Sequence, residues 1–523
     1  MQEKIDTKID TKIDSTKQIR YGAIMSYIAI FFNIATGLIY TPWMVQQIGQ
    51  SEYGLYSLAV TLISFFTIDF GLGEAVSRFL SKYNAENNEK KKKDFLGITF
   101  KIYIFIDIFI FIFLLAIIIF ADVIYAELTS MELMKFRIVF CIAALYSVAS
   151  FPFMPLNGIL ISNERFSFQK LADLMNKIIT VITMVIVLLL GYKLYSLVIV
   201  NAISGIITIV LKLIYIYKNN LIEINFKIKD NELLKEILNF SVWTAVIAIA
   251  QRFILNITPT VLGALAGSIQ ISLFSVAMTI EGYIWTFANA LNGLFLPKVT
   301  KMTVKNDNSV EIENLMIKVG RIQLFLVGLL IVGFLTMGKE FMALWMGENF
   351  LDSYYVAVLL IMPCIITLTQ QIGNTALVAL NEMKFRALGH IATAVISFVL
   401  STLFSQKYGA IGSSLAIFLG NIIGQVIGMN IVYYKILRIN LVRFFKECHL
   451  KMIIPLTVTI CIGLLLQYLF PSVSLISFTI KVLAISIIYL VLMWNFALNK
   501  YEKGLFGDLF NKIFELVRRK TNV

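Results

Sequence analysis

Arg252 stands in the run VWTAVIAIAQRFILNITP, with Gln251 and Asn256 as its polar neighbours. An arginine keeps its proton in any protein environment, so inside a hydrocarbon layer it needs an anion. That anion is either a protein carboxylate or a charged group of a ligand, and a phosphate suits the guanidinium fork. Glu281 is the candidate carboxylate of the protein. With Trp285 and Asn289 it follows i, i+4, i+8 spacing, so the three share one helix face. A carboxylate, an indole and an amide on one stripe suit hydrated or sugar-like ligands. The plainer reading is polar glue between helices. Gln370 and Asn374, near Thr367 and Gln371, add amides at mid-depth of a later apolar run, and Asn33 does so with Thr36 in the first. Asp69 and Asp107 sit near the middle of two further runs. A buried carboxyl can exchange a proton or hold a cation, so Asp69, Asp107 and Glu281 are ion-coupling candidates.

None of these residues forms a catalytic constellation. The chain has two histidines, short external connections and no Walker A glycine-lysine loop, which leaves no sign of an enzyme or of ATP-driven transport. Cys141, Cys364 and Cys461 lie in apolar runs and Cys448 in a connection, with no CxxC spacing. Neither a disulfide framework nor a metal site is expected, and no cofactor.

The elements that must position these residues are membrane helices. The chain is 59% hydrophobic and 15% charged, with mean hydropathy +0.82. Hydropathy predicts about fourteen spans, near 22–41, 55–79, 95–120, 133–157, 172–191, 194–216, 238–262, 270–296, 315–336, 354–380, 386–405, 411–434, 452–470 and 475–498. Lys and Arg gather in the two tails and in alternate connections. The other connections hold only Lys193, Lys339 and Lys407. This positive-inside pattern predicts a multi-pass protein with both termini cytoplasmic. The net charge of +13 is therefore a topology and lipid-surface signal, and the run Lys90 to Lys93 does not imply nucleic acid. Lys101, Lys135, Arg137, Lys212, Arg252 and Lys481 fall inside or at the ends of spans. Of these, Arg252 is the one expected deep in a helix beside other polar groups. The tail KIDTKIDTKIDS lacks the short apolar core and cleavage site of a signal peptide.

An internal repeat sets the architecture. Residues 49–61, GQSEYGLYSLAVT, match residues 267–279, GSIQISLFSVAMT, at an offset of 218. Asn163-Glu164 recurs as Asn381-Glu382 at the same offset, and Tyr217-Lys218 as Tyr434-Lys435 one residue short of it. The offset spans six helices, an even number, so the copies have the same orientation. The fold expected is all-α and integral to the membrane: two parallel-repeat six-helix halves plus two C-terminal helices. Residues 1–20 form a basic cytoplasmic tail, 21–218 the first half, 219–237 a linker and 238–435 the second half. A linker at 436–451, an extra helix pair at 452–498 and a basic tail at 499–523 complete the chain. Such halves suit alternating access about a central site.

The block GQSEYGLYSLAVTLISFFTIDFGLGEAVSRFLS resembles the early spans of bacterial polysaccharide biosynthesis membrane proteins. These are the Wzx-type flippases of the multidrug/oligosaccharidyl-lipid/polysaccharide exporter superfamily. The second copy, GSIQISLFSVAMTIEGYIWTFANALNGLFLPKVTK, and the element Asn163 to Phe166 are similar to the same family. The resemblance covers residues 20–440. It implies movement of a polyprenyl-pyrophosphate-linked oligosaccharide across the bacterial plasma membrane, coupled to a proton or sodium gradient. It also implies membrane lipid and glycan-assembly enzymes as partners. Cavity cations hold the pyrophosphate in that picture, a role open to Arg252 with Gln251 and Asn256. Glu281, Trp285, Asn289, Gln370, Asn374 and Asn33 would line the sugar path. The alternative is a multidrug or cation antiporter of the same superfamily, which typically has an acidic residue in its first span. Here span one has none.

Overall fold

The computed structural model describes residues 28–66, 72–292, 299, 302, 309–380, 382–471 and 473–504. Asp69 lies outside them. Every regular element among the described residues is helical. Hydrocarbon offers no hydrogen bonds, so a spanning backbone must satisfy itself within the segment. The helices are α1 (Ile28–Ile48), α2 (Gln50–Phe66), α3 (Leu72–Ala85), α4 (Glu89–Ile119), α5 (Ala121–Ile124), α6 (Ser130–Ser150), α7 (Pro155–Ser162), α8 (Phe166–Leu189) and α9 (Leu194–Lys218). They continue with α10 (Asn231–Leu265), α11 (Ser268–Asn292), α12 (Ser309–Trp345), α13 (Asp352–Ile361), α14 (Gln371–Ala379) and α15 (Met383–Asn421). The last are α16 (Met429–Lys435), α17 (Leu441–Phe445), α18 (Lys451–Leu469) and α19 (Leu475–Leu492).

Twelve helical stretches among the described residues are long and apolar enough to cross a membrane. One of them, Met383–Lys435, takes in two of the expected spans. Its backbone leaves the helical region at Gly409, with φ 54° and ψ −132°, in the gap between 386–405 and 411–434. The expected second span, 55–79, falls on α2 and α3. The helices thus follow the hydropathy pattern of about fourteen crossings. The repeat is visible in the backbone. Gly49 and Gly267, at φ 92° and 85°, introduce α2 and α11, whose first residues are 218 apart. Only glycine adopts such a φ without steric cost. Proline breaks equivalent spans: α6 gives way to a 3-10 turn, Phe151–Phe153, before Pro155 opens α7, and α13 ends just before Pro363.

The contacts divide the chain into two compact units. The first holds Met1–Val276 and His390–Ile417; the second holds Ala277–Gly389 and Phe418–Val523. Within the first, α2 packs on α6 and α10, α3 on α7, and α8 on α9. Within the second, α12 is the spine against which α13, α14, α18 and α19 pack.

Two buried ion pairs fix the C-terminal helices to that spine. Arg321 is 4% exposed and bonds Glu502 twice, at 2.5 and 2.9 Å. Two further donors go to the carbonyls of Glu447 and Ala497, each at 2.6 Å. Farther along α12, Glu340 accepts from Lys481 Nζ of α19 at 2.6 Å, and that ammonium also donates to the Phe470 carbonyl. At ~1.5 Å per residue the two pairs stand roughly 28 Å apart along α12, close to the hydrocarbon thickness. Between them Tyr489 donates to the Phe325 carbonyl at 2.7 Å. Gly328 makes room there, since a Cβ would stand 2.8 Å from the tyrosine hydroxyl.

Removing one member of such a pair strands the other charge. Arg321→Met is expected to cost about 3–5 kcal/mol, read as a lower melting temperature of the detergent-solubilised protein by tryptophan fluorescence. The double variant Arg321→Met/Glu502→Gln should regain most of the loss. An unchanged single variant would contradict the clamp.

Candidate functional site

In the first unit, α10 carries Gln251, Arg252 and Asn256. Asn256 is buried and donates to Ser64 Oγ of α2 at 2.6 Å, so it joins two helices. Gln251 is half-buried, with its amide nitrogen 3.3 Å from His390 Nε2. Arg252, one turn before Asn256, is exposed and has no recorded ion pair or hydrogen bond among the described residues. A guanidinium turned to lipid at this depth is costly, so its exposed face calls for water or an anion. Asn33 is exposed on α1. Asp107 is 9% exposed on α4, and its Oδ1 has no hydrogen-bond partner.

Sequence reasoning missed part of this unit. On α8, Gln169, Asp173, Asn176, Lys177 and Thr180 form a polar stripe, whereas Leu171, Met175, Ile179, Ile182 and Ile186 make the exposed apolar face on the other side. The first set recurs at three- and four-residue steps, as one helix face must. Lys212 of α9 is buried against this stripe, 2.7 Å from Asp173 Oδ1 and 2.9 Å from Asn157 Oδ1. Lys177 lies at the middle of α8, exposed and with no recorded ion pair or hydrogen bond among the described residues. It falls inside the expected span 172–191, near its start. The alternating schedule of basic residues hid it among those of a neighbouring connection.

Glu132, in the first turn of α6, is a second such omission. Its Oε1 accepts from Ser51 at 2.6 Å and from Ser268 at 2.5 Å, while its Oε2 completes a capping box with Thr129. Ser51 and Ser268 each stand within two residues of the paired glycines Gly49 and Gly267, so one carboxylate links the two copies of the repeat. Next to it, Lys135 pairs with Glu52 at 2.5 Å.

In the second unit, Glu281 and Trp285 lie one turn apart on α11. Trp285 packs on the buried cluster of Ile284, Val327, Ile331 and Leu368. The Asn289 side chain lies outside the described residues. Gln370 is fully buried and donates to Asn430 Oδ1 at 2.8 Å, while Asn430 Nδ2 donates to the Val426 carbonyl at 2.7 Å. Asn374, one turn on, is half-buried. Arg252 and Glu281, the two candidates for a mutual pair, belong to different units. The structure therefore groups Arg252, Gln251 and Asn256 on one helix, and Glu281 with Trp285 on another.

A family model described as polysaccharide biosynthesis protein matches residues 19–303, more than half of the chain. The chain belongs to that family. No curated protein matches this polysaccharide biosynthesis family member. Among solved structures it is similar to a lipid II flippase MurJ in an inward closed conformation, with a TM-score of 0.68 and 16% identity over 95% of this chain and 100% of that one. It is also similar to an inward-facing multidrug resistance MATE family transporter of the MOP superfamily, with a TM-score of 0.60 and 14% identity over 75% of this chain and 97% of that one. A MOP superfamily transporter from Pyrococcus furiosus, noted for the reverse polarity of its binding pocket, gives 0.52 at 14% identity, over 80% and 97% of the two chains. At these identities the likeness speaks for the fold. The family member is a multi-pass helical membrane protein with the fold of these flippases and transporters.

The different surroundings of Asn256 and Arg252 give a contrast in stability. Asn256→Ala should destabilise by about 1 kcal/mol or more, because the hydrogen bond from α10 to Ser64 of α2 is lost. Arg252→Ala, which breaks no recorded contact, should stay within about 0.5 kcal/mol of the parent. Thermal unfolding of both variants in one detergent checks the order, and equal losses would contradict it.

Proposed function

We propose that this protein is a flippase for a polyprenyl-pyrophosphate-linked oligosaccharide, a repeat unit of surface polysaccharide. It would carry this cargo across the bacterial plasma membrane by alternating access, with both termini cytoplasmic and with a proton or sodium gradient as the drive. The observation that supports this most is Arg252: a permanent cation within an apolar span, exposed, flanked by Gln251, with no recorded partner among the described residues. A pyrophosphate supplies the anion such a residue lacks, and the guanidinium fork matches its oxygens. Glu281, Trp285, Asn289, Asn374 and Asn33 would meet the sugars, and Gln370 would hold the segment carrying Asn374. Asp69, Asp107 and Glu281 are the groups that would take the coupling ion. The halves 21–218 and 238–435 would rock against each other, while the lipid tail stays in the bilayer. Membrane lipid and glycan-assembly enzymes are the partners this role requires. The family membership and the fold of a lipid II flippase agree with a carrier and not an enzyme.

The fold likeness to a multidrug resistance transporter supports a second reading, an antiporter of drugs or cations. Cells carrying Arg252→Ala at normal protein levels separate the two. The flippase reading expects export to fall roughly tenfold or more, the loss of a charged hydrogen-bond partner. Lipid-linked repeat units should then accumulate in the cytoplasmic leaflet. Arg252→Lys should retain part of the activity. Full export by Arg252→Ala would overturn the anion role, and gradient-dependent efflux of cationic dyes would favour the antiporter.

A further inference from the structure

Asp107 has a setting unlike that of the other buried charges. Arg321, Lys212 and Lys481 each face a carboxylate. Asp107 makes no ion pair among the described residues, and its buried Oδ1 accepts no hydrogen bond from them. An ionisable group at this depth without a counter-charge is a functional site by default.

The opposite helix supplies an oxygen. Tyr103 of α4 packs its ring against Phe151, just after α6, with ring centroids 5.4 Å apart. The two spans follow each other through a short connection and so run antiparallel. One turn outward from Tyr103 on α4 is Asp107, and one turn back from Phe151 on α6 is Ser147. The register therefore sets Asp107 level with Ser147, which is fully buried. Among the described residues neither Asp107 Oδ1 nor Ser147 Oγ has a hydrogen-bond partner. Buried polar atoms are rarely left so, and a pair of them across one interface points to a guest between the helices. Thr99 Oγ1, two turns inward from Asp107 on the same stripe of α4, is also buried without a partner. It extends the line of oxygens toward the cytoplasmic end.

The chemistry narrows the guest. All the donors are oxygens, which suit hard cations. One carboxylate balances one positive charge. Among the described residues no three His, Cys, Asp or Glu side chains come together, so the several anionic ligands of a divalent site are missing. A proton would sit covalently on the carboxyl and would call on no oxygen from α6, whereas a hard cation draws oxygens from both helices, and the buried Ser147 Oγ is such an oxygen.

We propose that Asp107 and Ser147 form a binding site for one sodium ion between α4 and α6. It deepens the ion-coupled reading above and rests on that reading for its role in transport, though not for the binding itself. Full-length protein in nanodiscs, without cargo, is incubated with radioactive sodium. Saturable binding is expected, displaced by unlabelled sodium but not by potassium or choline. Asp107→Asn should weaken it roughly tenfold or more, and Ser147→Ala should weaken it by a smaller factor. Both variants are checked for monodispersity, and Ser147→Ala carries the test if Asp107→Asn does not fold. Sodium binding absent from the parent protein, or unchanged in the variants, overturns the site. Proton uptake that a pH indicator detects in the parent and not in Asp107→Asn, with no sodium bound, assigns the position to protons and also overturns it. Because no glycolipid is present, this outcome is separate from that of the flippase reading, which fails only if the lipid-linked glycan does not move.

Discussion

A charge at the centre of a bilayer costs about 2.5–3.5 kcal/mol on insertion scales, and this cost sorts the ionisable side chains of the protein. Arg321, Lys481 and Lys212 are each buried against a carboxylate. Their neighbours satisfy much of what the carboxylate does not. Arg321 adds two backbone carbonyls, Lys481 adds one, and Lys212 adds the Asn157 amide oxygen. Replacing one partner would leave a stranded ion, so these residues hold helices in place. Arg252, Lys177 and Asp107 have no such compensation recorded among the described residues. Arg252 and Lys177 are exposed, where lipid alone would be an unfavourable neighbour, and Asp107 is buried. Function is expected among the second set because the first is already satisfied.

The backbone follows what hydropathy and repetition imply. A sustained apolar run commits the chain to helix through the absence of water, and Gly191, Gly409, Pro155 and Pro363 stand at breaks in the helices. The copies at 49–61 and 267–279 recur as helix starts for the same local reason, a glycine able to take a left-handed φ. The partners of the buried charges were far less legible. Lys481 and Glu340 are 141 residues apart, and Arg321 and Glu502 are 181 apart. No local pattern joins them. Counting basic residues by connection also concealed Arg321 and Lys177, which stand inside helices. The expectation that Arg252 alone would lie deep beside polar groups therefore gives way to a larger set, with Lys212 and Lys481 buried in ion pairs of their own.

The polar residues without charge were harder still to assign. Asn256 and Gln370 were chosen for their depth, and depth alone does not separate a ligand-facing amide from one spent on a neighbour. Asn256 bonds Ser64, and Gln370 bonds Asn430. Each amide then positions others: Asn256 steadies the turn that carries Arg252, and Gln370 the turn that carries Asn374. A supporting role of this kind leaves the reading of those turns intact and moves the direct contact one residue away.

Contact strength differs between the two places where helices are tied by ionisable groups. Breaking a buried pair such as Arg321–Glu502 would cost about 3–5 kcal/mol, with a charge left buried and unpaired. The link between the repeat copies is of another kind, because Glu132 receives two serine hydroxyls. A hydrogen bond to a charged group contributes about 1.5–3 kcal/mol, and water can replace the hydroxyl when the helix ends part. In the alternating-access reading proposed above, one set of contacts would open in every cycle and the other would stay shut. Serine on carboxylate at the ends of α2, α6 and α11 can be opened without stranding an ion, whereas the pairs along α12 cannot. The C-terminal helices are thus fastened by bonds suited to permanence, and the two repeat copies meet through bonds suited to exchange with water.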